Sequence, residues 1–175
     1  MKHIMIDIET LGLEFHSDIV SIGAIEFDPE ENSLGRDFYQ VVSLDTLPYV
    51  NVSTLRWWMQ QSDEARAVFQ ETGQPIECAL ALLSQFIHSI KQNQTIRIWS
   101  RGKIDTNILE HKYKMSNLEC PWDGKEIRDA RTFIDELLPY VPCFKFENEK
   151  AHNALSDAIY QASQINHIHQ YLRKI

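Results

Sequence analysis

An isoleucine-rich β-strand is predicted for His3-Ile4-Met5-Ile6-Asp7-Ile8-Glu9-Thr10. Because side chains alternate between the two faces of a strand, the three isoleucines point one way and Asp7 and Glu9 the other. Such an apolar run is typical of a central, buried strand, where an unpaired charge is costly. The two acids could be the polar face of an edge strand, but the isoleucine flank favours a functional pair. Since close carboxylates are commonly neutralised by a divalent cation, the strand predicts part of a metal site.

The size and composition of the chain indicate a globular protein. Its 175 residues suffice for a hydrophobic core, and one domain is predicted over residues 1–175. No stretch has the length of a membrane span, and no signal peptide is recognised. The three cysteines, Cys78, Cys120 and Cys143, form no Cys-x-x-Cys pair, so neither a zinc site nor a disulfide framework is predicted. We therefore expect a cytoplasmic protein that has no membrane partner.

The formal net charge of −8 limits the kinds of partner. It argues against a protein that coats nucleic acid, because such proteins neutralise many phosphates with Lys and Arg. It does not exclude an enzyme that engages a few nucleotides through bound cations. Net charge alone therefore leaves a nucleic-acid substrate open.

Three strands joined by short turns are predicted in the first part of the chain. The first strand is followed by a turn at Leu11-Gly12-Leu13 and by strands over residues 18–27 and 36–44, with a polar turn at 28–32 between the latter two. No segment of helical length separates the three strands. They therefore predict an antiparallel meander.

The rest of the chain combines helices with two further strands. A short helix capped by Ser53 or Thr54 carries Trp57 and Trp58, and apolar spacing predicts a core helix over residues 76–90. Further on, strands are predicted over 94–100 and 125–129, and helices over 106–113, 131–140 and 153–173. The overall prediction is an α/β fold in which a mixed sheet is flanked by helices.

Three more candidate site residues lie near helix starts. Asp105 follows a predicted strand, where open α/β sheets place ligands, although alone it is explained as well by a helix N-cap. His152 and Asp157 are five residues apart, which on an ideal helix separates them by about 140° around the axis. Both can face one point only if His152 lies in a loop before the helix that curls back. Taken singly, each residue is explained as an ordinary polar position.

Together the four acids and the histidine form a recognisable pattern. The chain resembles the DEDDh exonucleases of the DnaQ-like group, within the RNase H-like superfamily. Asp7 and Glu9 match the first motif, Asp105 the second, and His152 with Asp157 the third.

Other stretches resemble the phage DexA-type exonucleases and the related small bacterial exoribonuclease-like domains. They are Ile6-Asp7-Ile8-Glu9-Thr10-Leu11-Gly12, Thr54-Leu55-Arg56-Trp57-Trp58, Gln61-Ser62-Asp63-Glu64-Ala65-Arg66 and Ile127-Arg128-Asp129-Ala130-Arg131-Thr132. Many DnaQ-like enzymes carry an Asn shortly before the second-motif Asp, whereas this chain has Arg101-Gly102 there. The DexA-like branch shares that Arg-Gly, so the departure looks like a trait of the branch.

The resemblance implies an RNase H-like fold and a 3′–5′ exonuclease. Such an enzyme would hydrolyse phosphodiester bonds from the 3′ ends of single-stranded DNA or RNA with two Mg²⁺ or Mn²⁺ ions per active site. By resemblance, the four acids hold the ions, with Asp7 bridging both. His152 would be the general base that deprotonates the attacking water, since its near-neutral pKa suits that role.

The resemblance also implies where the substrate binds. The terminal base is expected against Leu11-Gly12-Leu13, directly after the first-motif acids, with Thr10 as a further substrate contact. One of the two tryptophans is expected to stack on a base and the other to lie in the core, or both lie in the core. Three arginines are expected near the site entrance, where they could contact phosphate: Arg101, Arg128 and Arg131.

Several alternatives stay open at this stage. The enzyme could be an exoribonuclease that trims RNA 3′ ends specifically, because the residues that sense a 2′-hydroxyl are not evident. A protein that has the nuclease fold but binds nucleic acid without cutting is disfavoured by the complete set of acids and His152. A purely structural α/β domain would require all five spacings to coincide by chance. Relatives in the superfamily often form homodimers, so a homodimer is expected.

Overall fold

A computed structural model describes residues 1–43, 45, 49–92, 94–142, 145–148 and 150–175. Five strands and six α-helices alternate along the described chain. They are β1 (Lys2–Thr10), β2 (Ile19–Asp28), β3 (Ser33–Val41), α1 (Val52–Trp58), α2 (Asp63–Arg66), α3 (Ile76–Lys91), β4 (Ile96–Ser100), α4 (Ile104–Met115), β5 (Ile127–Asp129), α5 (Ala130–Leu137) and α6 (Ala154–Leu172). Short 3₁₀ turns follow α2 and α5 and precede β5. None of the helices within these residues is both long and apolar enough to span a membrane.

The five strands form one mixed sheet in the order β3-β2-β1-β4-β5. β1 pairs antiparallel with β2, and β2 with β3, which confirms the predicted meander. β4 runs parallel to β1, and β5 parallel to β4. The predicted α/β class, a meander extended by parallel strands and flanked by helices, is confirmed.

β1 lies at the centre of the sheet and is covered on both faces. Its isoleucines pack with α3 and α4 in one cluster, whereas Met5 packs with α5 and α6 in a second cluster. The residues on the face of Met5 include Asp7 and Glu9, near the carboxyl end of the strand. The two acids thus lie on the side of the sheet that α6 covers.

A close approach between β2 and α6 positions the helix that carries Asp157. Gly23 of β2 is the register partner of Asp7 on β1. A Cβ atom at Gly23 would lie 2.2 Å from the carbonyl carbon of Ala154. A side chain at this position would therefore push the start of α6 away from the sheet.

The helix starts differ in detail from the predicted ones. Asn51, rather than Ser53 or Thr54, caps α1, because its side chain accepts hydrogen bonds from the backbone N–H groups of both residues. The prediction for this cap was wrong by two residues. α4 begins at Ile104, so Asp105 lies in the first turn and is not the N-cap. The predicted third strand extended to Leu44, which lies outside the described residues, as does Cys143.

Candidate active site

The structure brings the five candidate residues together at one end of the sheet. Asp7 and Glu9 end β1, while Asp105 and Asp157 lie in the first turns of α4 and α6. With His152, they line one pocket of about 640 Å³. Residues that are 150 positions apart in the sequence thus share a single acidic pocket.

His152 lies in a loop that curls back towards Asp157. Its φ angle of 66° is left-handed, and its backbone N–H donates a hydrogen bond to Asp157 Oδ2 at 3.0 Å. Asn153 then caps α6 by accepting from the backbone N–H of Ser156. This is the turn that lets two residues five apart face the same pocket, which the sequence spacing required.

Asp157 is also held by Asn148, a residue that the sequence did not single out. Asn148 Nδ2 donates a short hydrogen bond to Asp157 Oδ1. The side-chain oxygen Oδ1 of Asn148 in turn accepts from Ser156 Oγ at 3.1 Å. Both carboxylate oxygens of Asp157 therefore have donors, which fixes the orientation of the side chain.

Gln161 is a second site residue that sequence reasoning missed. It lies one turn after Asp157 on α6, is only 4% exposed, and donates from Nε2 to Asp7 Oδ1 at 2.8 Å. Its Oε1 is buried and has no hydrogen-bond partner among the described residues. The signal was its i+4 spacing from Asp157, which places both side chains on one face of the helix.

The acids raise the pKa values of one another. Burial, followed by the charges of Asp105, Glu9 and Asp157, raises the pKa of the Asp7 carboxyl well above its ordinary value, against the opposing hydrogen bond from Gln161. Burial and the same kind of repulsion raise the pKa of Glu9 to about 8. Burial also raises the pKa of Asp157. A cluster of this kind binds protons or cations to relieve its repulsion.

Asp105 has a positively charged neighbour. Burial raises its pKa to about 7, although the charge of Arg131 acts in the opposite direction. Arg101 and Lys103 line the same pocket, but three cations do not balance four carboxylates, so an excess of negative charge remains. A divalent cation fits this donor set, because hard oxygen ligands suit such ions.

Three of the residues could hold a metal ion as they stand. Ligand atoms of Glu9, His152 and Asp157 lie within 4.8 Å of one another. The pocket is thus a carboxylate and histidine site that could accept a divalent metal.

A second, smaller pocket of about 370 Å³ adjoins the acidic one and shares Glu9 and Asp105 with it. Its other lining residues are mostly apolar or small and come from β1, α1, α4 and the loop after β1: Ile8, Thr10, Leu13, Ser53, Thr54, Trp57 and Ile104. The apolar walls suit a ligand that has a flat apolar part, whereas a phosphate could approach the acidic edge only where cations neutralise the carboxylates.

The two tryptophans have different environments. Trp58 is 2% exposed and packs on Phe69, and its Nε1 donates to the Thr10 carbonyl at 3.0 Å. Trp57 is 40% exposed, lines the smaller pocket and touches the His152 ring, with ring centroids 4.7 Å apart. The structure therefore places Trp58 in the core, and Trp57 is the tryptophan that a ligand could reach.

The segment after β1, against which the terminal base is expected, buries some of its residues and exposes others. Leu11 is buried beside Trp58 in the core, and the space next to Gly12 is filled by Ser17. Leu13, which is 72% exposed, lines both pockets instead, and Thr10 lines the smaller one. The apolar side chain available to a ligand is thus Leu13 rather than Leu11.

The predicted arginines do not share one location. Arg101 and Arg131 line the acidic pocket. Arg128 instead donates to the carbonyls of Lys125 and Ile127 and lines a separate groove, because β5 directs its side chain away from the acids. Asp129 caps α5 and accepts from the Gly102 N–H at 3.2 Å, so its role here is structural.

Residues 2–169 match the family of Rv2179c-like 3′–5′ exoribonuclease domains. The chain belongs to this family. It is a 3′–5′ exonuclease, a hydrolase of phosphodiester bonds. Among curated proteins, no match to the chain is found.

Solved structures of exonucleases share the fold. The E. coli exonuclease I in complex with a dT13 oligonucleotide superposes with a TM-score of 0.70 at 16% identity, over 99% of this chain and 42% of that chain. The nuclease domain of 3′hExo, a DEDDh family member bound to rAMP, superposes with a TM-score of 0.66 at 11% identity, over 99% of this chain and 92% of that chain. A zinc-bound form of the exonuclease I complex is also similar, with a TM-score of 0.68.

These similarities confirm the fold and the group. The RNase H-like α/β architecture and the DEDDh, DnaQ-like relationship are as the sequence motifs indicated. The chain spans less than half the length of exonuclease I, so the likeness to that protein concerns one part of it. The closer likeness to phage DexA-type enzymes stays a prediction.

Proposed function

We propose that the exonuclease removes nucleotides from the 3′ end of single-stranded nucleic acid by a two-metal mechanism. The observation that carries the proposal is the meeting of four carboxylates and His152 in one pocket. The smaller pocket beside it has a reachable tryptophan. Phosphate chemistry and base binding would therefore occur side by side.

Two divalent ions, Mg²⁺ or Mn²⁺, would be held by Asp7, Glu9, Asp105 and Asp157. Such ions supply an activated water and stabilise the charge on the leaving 3′ oxygen. The buried carboxylates support this assignment, since their raised pKa values mark a site in need of positive charge. Gln161 and Asn148 orient Asp7 and Asp157 through hydrogen bonds.

His152 would act as the general base. Its ring lies within 4.8 Å of carboxylate oxygens of Glu9 and Asp157, and its other neighbour is the ring of Trp57. The backbone hydrogen bond to Asp157 holds the loop so that the ring faces the pocket. The imidazole nitrogen would take the proton of the attacking water and later release it to solvent.

The terminal nucleotide would occupy the smaller pocket. Its base would lie between Leu13 and Trp57, close to Thr10, while its phosphate reaches the acidic pocket. A base can enter this space only when it is unstacked and unpaired, which favours single strands. Arg131 and Arg101, at the rim of the acidic pocket, would contact phosphate oxygens.

RNA is the substrate that the family assignment favours over DNA. We propose the RNA 3′ end as the primary substrate, a homodimer as the assembly, and residues 1–175 as one domain. Parallel digestion of matched RNA and DNA strands tests the first point, and light scattering during size-exclusion chromatography tests the second.

The central experiment is digestion of 5′-labelled single-stranded RNA and DNA with Mg²⁺, Mn²⁺ or EDTA. Wild-type protein should give a ladder of products shortened from the 3′ end in either metal and none in EDTA. Asp7→Asn keeps the shape of the side chain but removes its charge, and should abolish the ladder. Strands that are bound but not shortened by the wild type would support the non-catalytic alternative, and equal activity of Asp7→Asn would refute the metal assignment.

A further inference from the structure

Four rings form a continuous series of contacts on the surface near the smaller pocket. The ring of Phe15 lies 5.0 Å from that of His111 and 5.2 Å from that of His16, whose ring is in turn 5.0 Å from Tyr49. We call His111, Phe15, His16 and Tyr49 the aromatic strip. Neighbouring rings meet edge to face, with interplanar angles of 85°, 83° and 65°. Edge-to-face contact leaves ring faces available to a third partner.

The strip is open to solvent at its centre. Phe15 is 61% exposed and His16 is exposed as well, while the two end rings are half-buried. A single exposed ring such as Tyr140 is ordinary, but the strip joins four rings in contiguous contact, and contiguous exposed patches mark binding surfaces.

The backbone beneath the strip is held in place by a buried ion pair. Lys112 Nζ donates to Asp18 Oδ1 at 2.5 Å and to the His16 carbonyl at 3.3 Å. Asp18 Oδ2 accepts from the Tyr49 N–H at 2.7 Å. One ion pair therefore holds the backbone of both His16 and Tyr49, and Lys112 follows His111. The segments that carry the rings are thus in place before a ligand binds, which lowers the entropy cost of binding.

The strip continues from the walls of the smaller pocket. Leu13 and Ile104 line that pocket, and Phe15 is two residues beyond Leu13. His111 is seven residues after Ile104 on α4, so it lies on the same helix face about 10 Å further along the axis. That distance corresponds to a few stacked bases at a spacing of about 3.4 Å per nucleotide.

We propose that the aromatic strip binds the bases upstream of the terminal nucleotide in single-stranded RNA. This inference rests on the proposed function, because the smaller pocket must hold the 3′-terminal nucleotide. Base stacking on rings is tolerant of sequence and needs no positive charge. It therefore suits a chain of net charge −8, in which 25 acidic residues outnumber 17 Lys and Arg residues.

The test compares two substrate lengths with two variants. Phe15→Ala removes the central ring, and Tyr140→Ala is the matched control, because Tyr140 is a strongly exposed ring outside the residues that line either pocket. Stacking of one base corresponds to roughly a 5- to 150-fold effect on affinity. For an eight-nucleotide oligoadenylate, we expect Phe15→Ala to raise KM about tenfold, which lies within that range, and to leave kcat unchanged. The second substrate is a dinucleotide, which does not reach the strip, and Phe15→Ala should cleave it at the wild-type rate.

A second measurement changes the substrate instead of the protein. An eight-nucleotide strand whose upstream positions are abasic keeps its phosphates but cannot stack, so its KM should rise as much as Phe15→Ala raises it. On the abasic strand, Phe15→Ala should then have no further effect.

Several results would overturn the inference. The strip does not bind bases if Phe15→Ala retains the wild-type KM for the eight-nucleotide strand, or if Tyr140→Ala raises that KM equally. A fall in molecular mass in Phe15→Ala would show that a second copy of the chain covers the strip instead. If the wild type cleaves neither substrate, the proposed function fails, which is a different outcome from loss of length preference in an active enzyme.

Discussion

Replacement of Gln161 by leucine should weaken divalent-metal binding without unfolding the protein. The wild-type side chain donates to Asp7 Oδ1 at 2.8 Å and is almost completely buried. Leucine has a similar volume but no donor, so it would leave a buried carboxylate oxygen without that hydrogen bond. The pKa of Asp7, which burial and its acidic neighbours already raise, would rise further, and a proton would then compete more strongly with the metal.

The size of the effect follows from the kind of hydrogen bond that is lost. A hydrogen bond to a charged group contributes about 1.5–3 kcal/mol. If that free energy is lost from the metal complex, the dissociation constant rises by roughly 10- to 150-fold. Mutation of residues that orient metal ligands typically weakens affinity by about 10- to 100-fold, in agreement with this range.

Calorimetric titration of metal-free protein with MnCl₂ at neutral pH measures the effect directly. Gln164→Leu is the matched control, because Gln164 is a buried glutamine one turn further along α6 that lines neither pocket. Metal binding by Gln161→Leu as tight as that of the wild type would refute the reasoning. Equal weakening in Gln164→Leu would show that any buried change in α6 perturbs the site.

Four substitutions and one pH series test separate parts of the structure. His152→Ala should lower kcat by about 10²- to 10⁴-fold, since a general base contributes that much, as measured by single-turnover digestion of RNA. Trp57→Ala should mainly raise KM, whereas Trp58→Ala should lower the free energy of unfolding by about 3–5 kcal/mol, as measured by urea denaturation. Gly23→Ala should cost at least about 1–3 kcal/mol in the same assay, because its Cβ would meet the backbone of α6. In EDTA, the urea midpoint should fall as pH rises from about 4.5 to 8. The pKa of Glu9 is about 8 in the folded protein and 4.5 when it is unperturbed, so the folded state binds this proton more tightly than the unfolded state and loses stability as the proton is released.

Each of these predictions has a contradicting result. Near-normal turnover of His152→Ala at saturating metal would exclude the general-base role. Equal destabilisation by the two tryptophan changes would contradict their different burial. Wild-type stability of Gly23→Ala would mean that α6 can move without cost. A urea midpoint that rises with pH in EDTA would show that folding does not raise the pKa values of the acids.

The sheet and its central strand could be predicted because local patterns determine them. The isoleucines of β1 alternate with Asp7 and Glu9, and no helix interrupts the first three strands, so both burial and the meander follow from the sequence. Helix limits were less accurate. Asn51 caps α1 two residues before the predicted cap, since three neighbouring residues could all serve and only their tertiary placement selects one.

The acids and His152 could be proposed from the motif, but their supporting residues could not. Gln161 and Asn148 act through contacts across the fold that have no short motif. The choice between Trp57 and Trp58 likewise depends on the position of Phe69 and of the Thr10 carbonyl. Arg128 was misplaced for a related reason, since the direction of a side chain at the end of a short strand depends on the register with β4.

The last helix, α6, determines when the acid cluster can assemble as the chain is synthesised and folds. Asp7 and Glu9 precede Asp157 and Gln161 by about 150 residues in the sequence, and α6 brings the two pairs together. A nascent chain that has not yet released α6 carries only part of the acid set. The set of four acids is therefore complete only after α6 has packed on the sheet, so the two-ion site that we propose cannot form earlier.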